Sequence, residues 1–386
     1  MKHIHEIKDK NKKDILRLLY TKQNLSKKRI ASELGLSQSV ITKICAELIA
    51  DGIIIESNQI KTQKVGRNEI EIKINPTYKY CFGITINHKK TTILLTDLAL
   101  NIIKETSFST ILDPQEHISR VISSLRELIA DNLLESKYFM GIGISIKGVT
   151  DGKYAYHGIW DTVVDMKSPI QQAFNIPVAV DNGVRCSALL EQLHSNEKNF
   201  IFLKYMEPGI GGALVRNGKI ERGETHSIVD FGHLIINPDG SYCPVCKRRG
   251  CLESIISIEQ MLNYAKSNFR LDFCPVFWNL CEGLSKNINI SNIIKSAEHG
   301  SIPFNQIFKR NAKFLALSII NTFSIIDIKK IIIIGDLFSS ERFNTYFKAA
   351  INELQLTPIY DIIQIHTYSD VMLSPVVLAL NEFIFI

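Results

Sequence analysis

The sequence predicts a protein of the α/β class, in which a small helical module with a two-stranded wing precedes a larger body of alternating strands and helices. Residues 1–80 contain three amphipathic helical segments followed by two strand-like segments, and from about Cys81 short apolar runs alternate with helical patterns. Excess positive charge is confined to residues 1–80, which hold 16 Lys and Arg against nine Asp and Glu; the rest of the 386 residues carries a net charge of −1. This asymmetry indicates a nucleic-acid-binding module on a nearly neutral body.

The first module has the pattern of a helix-turn-helix. An amphipathic helix is predicted over residues 11–23, Ser26 is placed to cap a second helix, and Gly35 suits the tight turn after it. Ser37 caps a third helix, whose apolar positions are expected to face the core. These positions are Val40, Ile41, Ile44 and Leu48. Because such a third helix lies in the major groove of DNA, its opposite face is the predicted DNA-binding surface. This surface comprises Ser37, Gln38, Ser39, Thr42 and Lys43.

The residues after the third helix predict a β-wing. Strands are expected at residues 53–55 and 70–74, joined by the polar stretch 57–66. Arg67, near the end of this connection, is placed to enter the minor groove or to bind a phosphate. The module therefore predicts a double-stranded DNA operator as a partner. The alternative is a three-helix module for protein interaction.

The body contains a series of short strands. Early strands are predicted at residues 82–86, 92–96 and 140–146, the last of them rich in glycine. Strands that pair early and alternate with helices later predict two ribonuclease-H-like lobes around a cleft. The later strands are predicted at 178–180, 200–204, 211–215 and 330–334, with a helix at 184–194.

The chain shows no sign of a membrane span or a secretion signal. Its densest apolar run, Ile331–Ile334, stops at Gly335, far short of the about 18 residues that a span needs. The lysine-rich first residues are not followed by an apolar signal core. We therefore expect a cytoplasmic protein without a membrane partner.

The sequence resembles the ROK family, named for repressors, open reading frames and sugar kinases, over nearly its whole length. The stretch from Leu25 through Gly66-Arg67 is similar to the winged module of the family's repressor branch. CPVCKRRGCLE is the most specific match to the family's body, and GIGISIKGVTD, VAVDNG and PGIGGALVRNG are weaker ones. The resemblance implies an actin- and hexokinase-like body. It also implies three domains: a winged helix-turn-helix at 1–80, a first lobe at 81–195 and a second lobe with a zinc site at 196–386.

The ATP-binding loops of the family's kinases are degenerate here. Their first phosphate loop resembles Asp-x-Gly-Gly-Thr, whereas residues 85–89 read Thr-Ile-Asn-His-Lys. The side chains of Asn87 and His88 obstruct close approach of a phosphate to the backbone. A second glycine-rich stretch begins with Pro208, and Asp336 stands in the late Gly-Gly turn, where an acidic side chain disfavours a nucleotide.

The general base of the kinases is also missing. The family's Asn-Asp pair supplies the carboxylate that deprotonates the sugar hydroxyl, and the matching residues here are Asn182 and Gly183. Since ATP binding and base catalysis are both impaired, we expect no enzymatic activity.

The cysteine cluster predicts a structural metal site. His233, Cys243, Cys246 and Cys251 offer one imidazole and three thiolates, a set suited to tetrahedral zinc. Gly250 allows a sharp turn before the last ligand, whereas Lys247 stands where the family has a glycine. The alternative is three reduced cysteines with an unrelated histidine.

The resemblance implies a sugar site beside the zinc. The positions that match the family's sugar-contacting residues are Asn182, Asp230, His233 and Glu253. Asp230 replaces a glutamate and is one methylene shorter, and the alternative for all of these polar residues is ordinary cleft lining or helix capping.

These features predict a transcriptional repressor of carbohydrate metabolism. A sugar or sugar derivative is the expected effector, zinc the cofactor and a homodimer or higher homo-oligomer the assembly, since operators for such modules are usually palindromic. Two alternatives stay open: a regulator gated by a protein partner, with a vestigial sugar cleft, and an active sugar kinase with an attached DNA-binding module.

Overall fold

The computed structural model describes residues 2–22, 25–60, 69–132, 134–156, 158–226, 228–354, 362–366 and 370–385. The chain divides into two compact units. The first comprises Met1–Glu197 together with Asp370–Ile386, and the second comprises Lys198–Ser369. Residues 370–386, assigned by the sequence to the second lobe, therefore lie in the first unit, because the helix they contain packs on the first sheet.

The first unit begins with the predicted winged helix-turn-helix. Its elements are α1 (Lys2–Thr21), α2 (Lys27–Leu34), α3 (Gln38–Ala50), β1 (Ile54–Ile60) and β2 (Glu69–Ile74). The Ser26 hydroxyl accepts a hydrogen bond from the Arg29 N–H at 3.2 Å, and Gly35 ends α2 at a φ of 63°. The two wing strands pair antiparallel. The local signals in the sequence therefore act as predicted.

The body of the first unit is built on a five-stranded sheet of order β10-β6-β3-β4-β5. Strands β3, β4 and β5 pair antiparallel, whereas β6 and β10 continue the sheet in parallel. The strands are β3 (Tyr80–Ile86), β4 (Lys90–Asp97), β5 (Ile102–Ser109), β6 (Phe139–Ile146) and β10 (Val178–Asn182). The helices are α4 (Pro114–Asp131), α5 (Ser168–Phe174), α6 (Gly183–Ser195) and α13 (Ser374–Phe383). A small separate sheet contains β7 (Val149–Thr150), β8 (Tyr154–Tyr156) and β9 (Val164–Asp165).

Helix α13 packs on a row of glycines in the two neighbouring inner strands β3 and β6 of this sheet. Gly83 on β3 lies opposite Gly143 on β6, and Gly141 lies two residues earlier on β6. A methyl group added at Gly143 would lie 1.7 Å from the Pro375 carbonyl oxygen, and one at Gly83 would lie 2.5 Å from Val376 Cγ2. Helix α13 therefore packs directly on the sheet because these strands lack side chains there.

Helix α1 is attached to the body of the same unit. The Tyr20 hydroxyl donates a hydrogen bond to the Leu98 carbonyl at 2.6 Å, and its ring meets the Phe385 ring edge-on at 5.9 Å. The Arg17 guanidinium lies 5.2 Å from the centre of the same Phe385 ring. Burial raises the pKa of Tyr20 well above its usual value and lowers the pKa of Arg17. The segment after α13 thus holds the first helix of the module.

The second unit has its own five-stranded sheet, of order β13-β12-β11-β14-β15. Its strands are β11 (Phe200–Met206), β12 (Gly209–Arg216), β13 (Lys219–Ile220), β14 (Ile331–Gly335) and β15 (Ile363–His366). Its helices are α7 (Leu252–Ile256), α8 (Ile258–Ser267), α9 (Pro275–Leu280), α10 (Ile290–Glu298), α11 (Ile302–Phe323) and α12 (Glu341–Glu353). Buried aromatic side chains of α11 and α12 meet in its core, where Phe308 and Phe343 lie edge-to-face at 5.6 Å. Among the helices described, none combines the length and the hydrophobicity that a membrane span requires.

The position of Val40 differs from the sequence-based expectation. Its side chain is 38% exposed instead of buried. The buried stripe of α3 consists of Ile41, Ile44, Cys45 and Leu48. Since each helical residue turns by about 100°, Val40 lies on the flank of this stripe and outside the core.

Candidate functional site

Helix α3 exposes the residues predicted to bind DNA. Ser37, Gln38, Ser39, Thr42 and Lys43 are all exposed. The Ser37 hydroxyl caps the helix by accepting from the Val40 N–H at 3.4 Å. The Thr42 hydroxyl donates to the Gln38 carbonyl at 2.8 Å, which leaves it an acceptor oxygen and a methyl group for an outside partner. Arg67 lies outside the described residues, so its predicted role stays a prediction.

Ion pairs within the module hold its helices and wing together. Glu47 on α3 accepts from Lys8 at 2.8 Å and from Lys12 at 3.2 Å, both on α1. These two lysines lower the pKa of Glu47. Glu69 on β2 lies 3.3 Å from the Arg29 guanidinium, and its pKa is lowered first by the hydrogen bond from Ser26. Part of the positive charge of the module is therefore balanced internally.

The four predicted metal ligands converge in the second unit. One donor atom from each of His233, Cys243, Cys246 and Cys251 lies within 4.8 Å of the other three. His233 Nδ1 is 3.8 Å from Cys243 Sγ, close to the roughly 3.5–3.8 Å between ligands that zinc bonds of about 2.0–2.3 Å imply. Three sulfurs and one imidazole nitrogen are the donors of a closed zinc site. This cluster could hold a zinc ion.

The loop that carries the cysteines is a tight turn. The Cys243 N–H donates to the Arg248 carbonyl, and the Lys247 N–H donates to the Cys243 carbonyl. Gly250 has a φ of 72°, and a methyl group there would lie 1.5 Å from the Asn237 carbonyl oxygen. Lys247 has a φ of 59°, a conformation that favours glycine. A glycine, which the family has at this position, adopts this conformation without strain. Lys247 adopts the same conformation despite its Cβ atom.

His233 connects the metal cluster to the predicted sugar site. Its Nδ1 faces Cys243, and its Nε2 lies 3.6 Å from Glu253 Oε2. A methyl group added at Gly209 would lie 2.3 Å from Glu253 Oε1, so that glycine makes room for the carboxylate. Asp230 is exposed at the start of the turn that contains His233. Partial desolvation raises the pKa of Asp230, whereas His233 and Arg248 act to lower it.

Asn182 belongs to the first unit and has a structural role of its own. Its Oδ1 accepts from the Val184 N–H at 2.8 Å and caps α6, and its Nδ2 donates to the Gly148 carbonyl at 2.7 Å. An asparagine side chain can form up to four hydrogen bonds, so one N–H and one lone pair remain for a ligand. The structure gathers Asp230, His233 and Glu253 in the second unit.

The turn predicted to be a degenerate phosphate loop binds two of its own backbone N–H groups through a side chain. In the turn between β3 and β4, Asn87 Oδ1 accepts from the Lys89 N–H at 3.0 Å and from the Lys90 N–H at 2.9 Å. These are backbone donors of the kind that a phosphate loop offers to ATP. In the late turn that contains Asp336, this side chain accepts from the Glu207 N–H at 3.2 Å, and burial raises the pKa of Asp336. The side-chain oxygens of Asn87 and Asp336 thus accept hydrogen bonds from backbone N–H groups in these two turns.

Two residues of these sites were missed by the sequence analysis. Arg248 donates to the His233 carbonyl at 3.3 Å and thus connects the cysteine loop to the histidine turn. The basic run 247–249 was the available signal, but it indicated only positive charge. Val40 is exposed on α3 next to the residues predicted to bind DNA, whereas its apolar character had placed it in the predicted core.

Comparison with known protein families matches the two parts of the chain separately. A model described as "ROK family" matches residues 81–365. A model described as "Winged helix-turn-helix DNA-binding" matches residues 8–55.

Curated relatives match over most of their length. A "Xylose repressor" of Caldicellulosiruptor bescii is 25% identical over 360 residues, which cover 90% of this chain and 88% of the relative. The "DNA-binding transcriptional dual regulator NagC" of Escherichia coli K12 is 23% identical over 355 residues, which cover 87% of this chain and 82% of the relative.

Solved structures show the same fold. A ROK family transcriptional regulator described as a homologue of the E. coli MLC protein has a TM-score of 0.75 and 20% identity, covering 98% of this chain and 97% of that one. A ROK family glucokinase from Streptomyces griseus has a TM-score of 0.65 and 19% identity, covering 79% of this chain and 99% of that one.

Proposed function

The chain belongs to the ROK family, and from this premise we propose that it is a DNA-binding transcriptional repressor of carbohydrate metabolism. Its kinase-like body responds to a sugar and does not phosphorylate it. The protein acts in the cytoplasm as a homodimer or higher homo-oligomer, binds a double-stranded operator and carries one structural zinc per chain. The division into a winged module at 1–80, a first lobe at 81–195 that also contains residues 370–386, and a second lobe over the rest of 196–369 is part of this proposal.

One observation carries the proposal. A complete helix-turn-helix with an exposed polar face on α3 precedes a kinase-like body whose phosphate-loop donors are taken by Asn87. The first feature serves DNA recognition, and the second removes part of the ATP site. Relatives that match 87–98% of this chain are named as repressors or transcriptional regulators.

DNA binding is tested by selection from a random duplex library with the full-length, zinc-loaded protein. We expect a palindromic consensus, because two-fold assemblies bind two half-sites. Gln38→Ala should cost about 1–3 kcal/mol at its base pair and relax the preference there, whereas Arg67→Ala should weaken binding to every duplex and lower the salt slope by about one. Fluorescence anisotropy at several salt concentrations measures both effects. Failure of the native protein to bind duplex DNA at low salt contradicts the proposal at its root.

In the sugar response, each residue has a proposed role. Asp230 and Glu253 accept hydrogen bonds from sugar hydroxyls, and Asn182 contributes its remaining N–H. His233 holds zinc through Nδ1 and donates from Nε2 on the side that faces Glu253. A ligand shifts the regulator only by its different affinity for two states, and about 1–3 kcal/mol of coupling is enough.

Two variants test the sugar response. Glu253→Gln and Asp230→Asn keep the shape of each side chain and remove its charge. We expect both to raise the sugar concentration that gives half of the response about tenfold or more, because hydrogen bonds to charged groups contribute about 1.5–3 kcal/mol. Operator affinity without sugar should stay unchanged. A thermal-shift screen of neutral monosaccharides finds the effector, and anisotropy with the operator measures the response.

The main alternative is a regulator gated by a protein partner. The use of both ends of the Asn182 side chain within the fold favours it. If neither variant changes the response to an active sugar, the signal enters elsewhere. If no sugar shifts the unfolding temperature, the partner-gated regulator replaces the present proposal.

Sugar kinase activity is expected to be absent, and Gly183→Asp should not create it. The substitution restores a carboxylate at the position of the general base, where an added Cβ would lie 3.2 Å from Ser145 Oγ. The Lys89 and Lys90 N–H groups remain bonded to Asn87, so the phosphate site stays closed. A coupled assay for ADP release with the zinc-loaded protein measures this. Turnover by the native chain above the background without enzyme contradicts the prediction.

A further inference from the structure

An exposed valine lies on the first turns of α3. Val40 follows Gln38 and Ser39 directly and is the third residue of the helix. Its side chain is 38% exposed, although its neighbours on this surface are polar. Because valine has no polar side-chain atom, no hydrogen bond of this side chain can explain why it is exposed.

The stability of the module does not explain this valine. The buried stripe of α3 is complete without it, since Ile41, Ile44, Cys45 and Leu48 fill the core side of the helix. A β-branched side chain also lowers helix propensity slightly. An exposed valine in the first turns therefore contributes little to folding.

The helix geometry places Val40 beside a predicted DNA contact. Residues three apart on a helix are neighbours on its surface, so Val40 and the exposed Lys43 share one flank of α3. Ser37, whose hydroxyl caps the helix at the Val40 N–H, marks the end that a helix-turn-helix directs toward base edges. Val40 thus lies between polar residues proposed to bind DNA.

The major groove offers an apolar side chain one kind of target. Base edges there present hydrogen-bond donors and acceptors, and the methyl group on C5 of thymine is the apolar exception. We propose that Val40 is a specificity-determining residue that contacts the methyl group of one thymine in each operator half-site. This proposal rests on the proposed DNA-binding function.

The test removes only the thymine methyl group. The operator is the consensus selected from a random duplex library by the full-length, zinc-loaded protein, and each thymine is replaced in turn by deoxyuridine. We expect one position per half-site at which this change weakens native binding about fourfold, which corresponds to about 0.8 kcal/mol per buried methyl group. Val40→Ala should bind the thymine operator about fourfold more weakly or worse, and deoxyuridine at that position should then have no further effect.

Two controls accompany the measurement. Because Val40 is partly exposed and lies outside the core of α3, Val40→Ala should change the unfolding temperature only slightly. Ile7→Ala removes a comparably exposed apolar side chain from α1, where 47% of Ile7 is accessible, and should keep the native response to deoxyuridine. If the native protein selects a consensus but no thymine shows a methyl effect that depends on residue 40, the inference is wrong and the proposed function stands. If the native protein binds no duplex, both are wrong.

Discussion

Replacing Cys251 with serine is expected to abolish the proposed zinc binding and to destabilise the second unit strongly. Cys251 is fully buried, and a hydroxyl is a poor replacement for a thiolate in a zinc site with sulfur ligands. An ion that binds only the folded unit adds to its stability in proportion to the logarithm of its free concentration over its Kd, and domains are stable by only about 5–15 kcal/mol, so losing a tightly bound ion should lower the unfolding temperature substantially. Elemental analysis should fall from one zinc per chain to none, and the thermal transition of the second unit should drop or disappear.

Cys274→Ser is the matched control for this prediction. Cys274 is also buried in the second unit, but its sulfur contacts the hydroxyls of Ser296 and Ser301 and lies outside the metal cluster. A serine there keeps polar partners, and zinc content should stay at one. Burial raises the pKa of the Cys251 thiol to about 11 without the ion, so zinc must displace a proton there and its affinity should fall as the pH falls. Full zinc content in the Cys251→Ser protein contradicts the assignment.

Replacing Gly143 with alanine is expected to destabilise the first unit by about 3 kcal/mol or more, at or beyond the upper end of ordinary overpacking. The new methyl group would lie 1.7 Å from the Pro375 carbonyl oxygen and 3.2 Å from the Ala379 nitrogen. Both contacts are to the backbone of α13, so no side chain can rotate to relieve them. Helix α13 has to move off the sheet, which also disturbs the packing of Gly83 and Gly141.

Urea unfolding of the full chain measures this effect, with Gly183→Ala as control. An added Cβ at Gly183 meets only Ser145 Oγ at 3.2 Å and one more distant atom, and alanine favours the helix that begins there. We therefore expect little change or a small gain in stability for the control. Equal stability of the Gly143→Ala and native proteins would show that α13 does not depend on the glycine row.

The helix-turn-helix could be predicted from the sequence because its signals are local. Ser26, Gly35 and Ser37 each act within three or four residues of their own position, and the structure confirms the cap or turn at each. The error at Val40 shows the limit of this reasoning. The spacing of apolar residues identifies the buried stripe of a helix. At the edge of that stripe, the spacing does not show whether an apolar side chain is buried or exposed.

The body was predicted less completely because its contacts are distant in sequence. The glycine-rich strand over residues 140–146 was recognised, but nothing nearby indicated that its glycines receive α13, more than 200 residues later. The edge strands β5 and β15 were missed, since β5 is mostly exposed and lacks an apolar run. The metal cluster was predictable because three of its four ligands are close in sequence. The hydrogen bonds of Asn87 to the backbone of its turn could not be predicted, because the sequence does not show where that side chain points.

The first unit contains residues from both ends of the chain, so it can be completed only at the end of synthesis. The helix-turn-helix and the sheet leave the ribosome first, but the helix that fills the glycine row follows only after the entire second unit. Phe385, which holds Tyr20 and Arg17 of α1, emerges later still. A nascent chain therefore carries the helix-turn-helix segment before its anchor on the body has been made. Translation that stops before residue 374 leaves the first unit incomplete, so the anchored module exists only in chains that have been synthesised through residue 385.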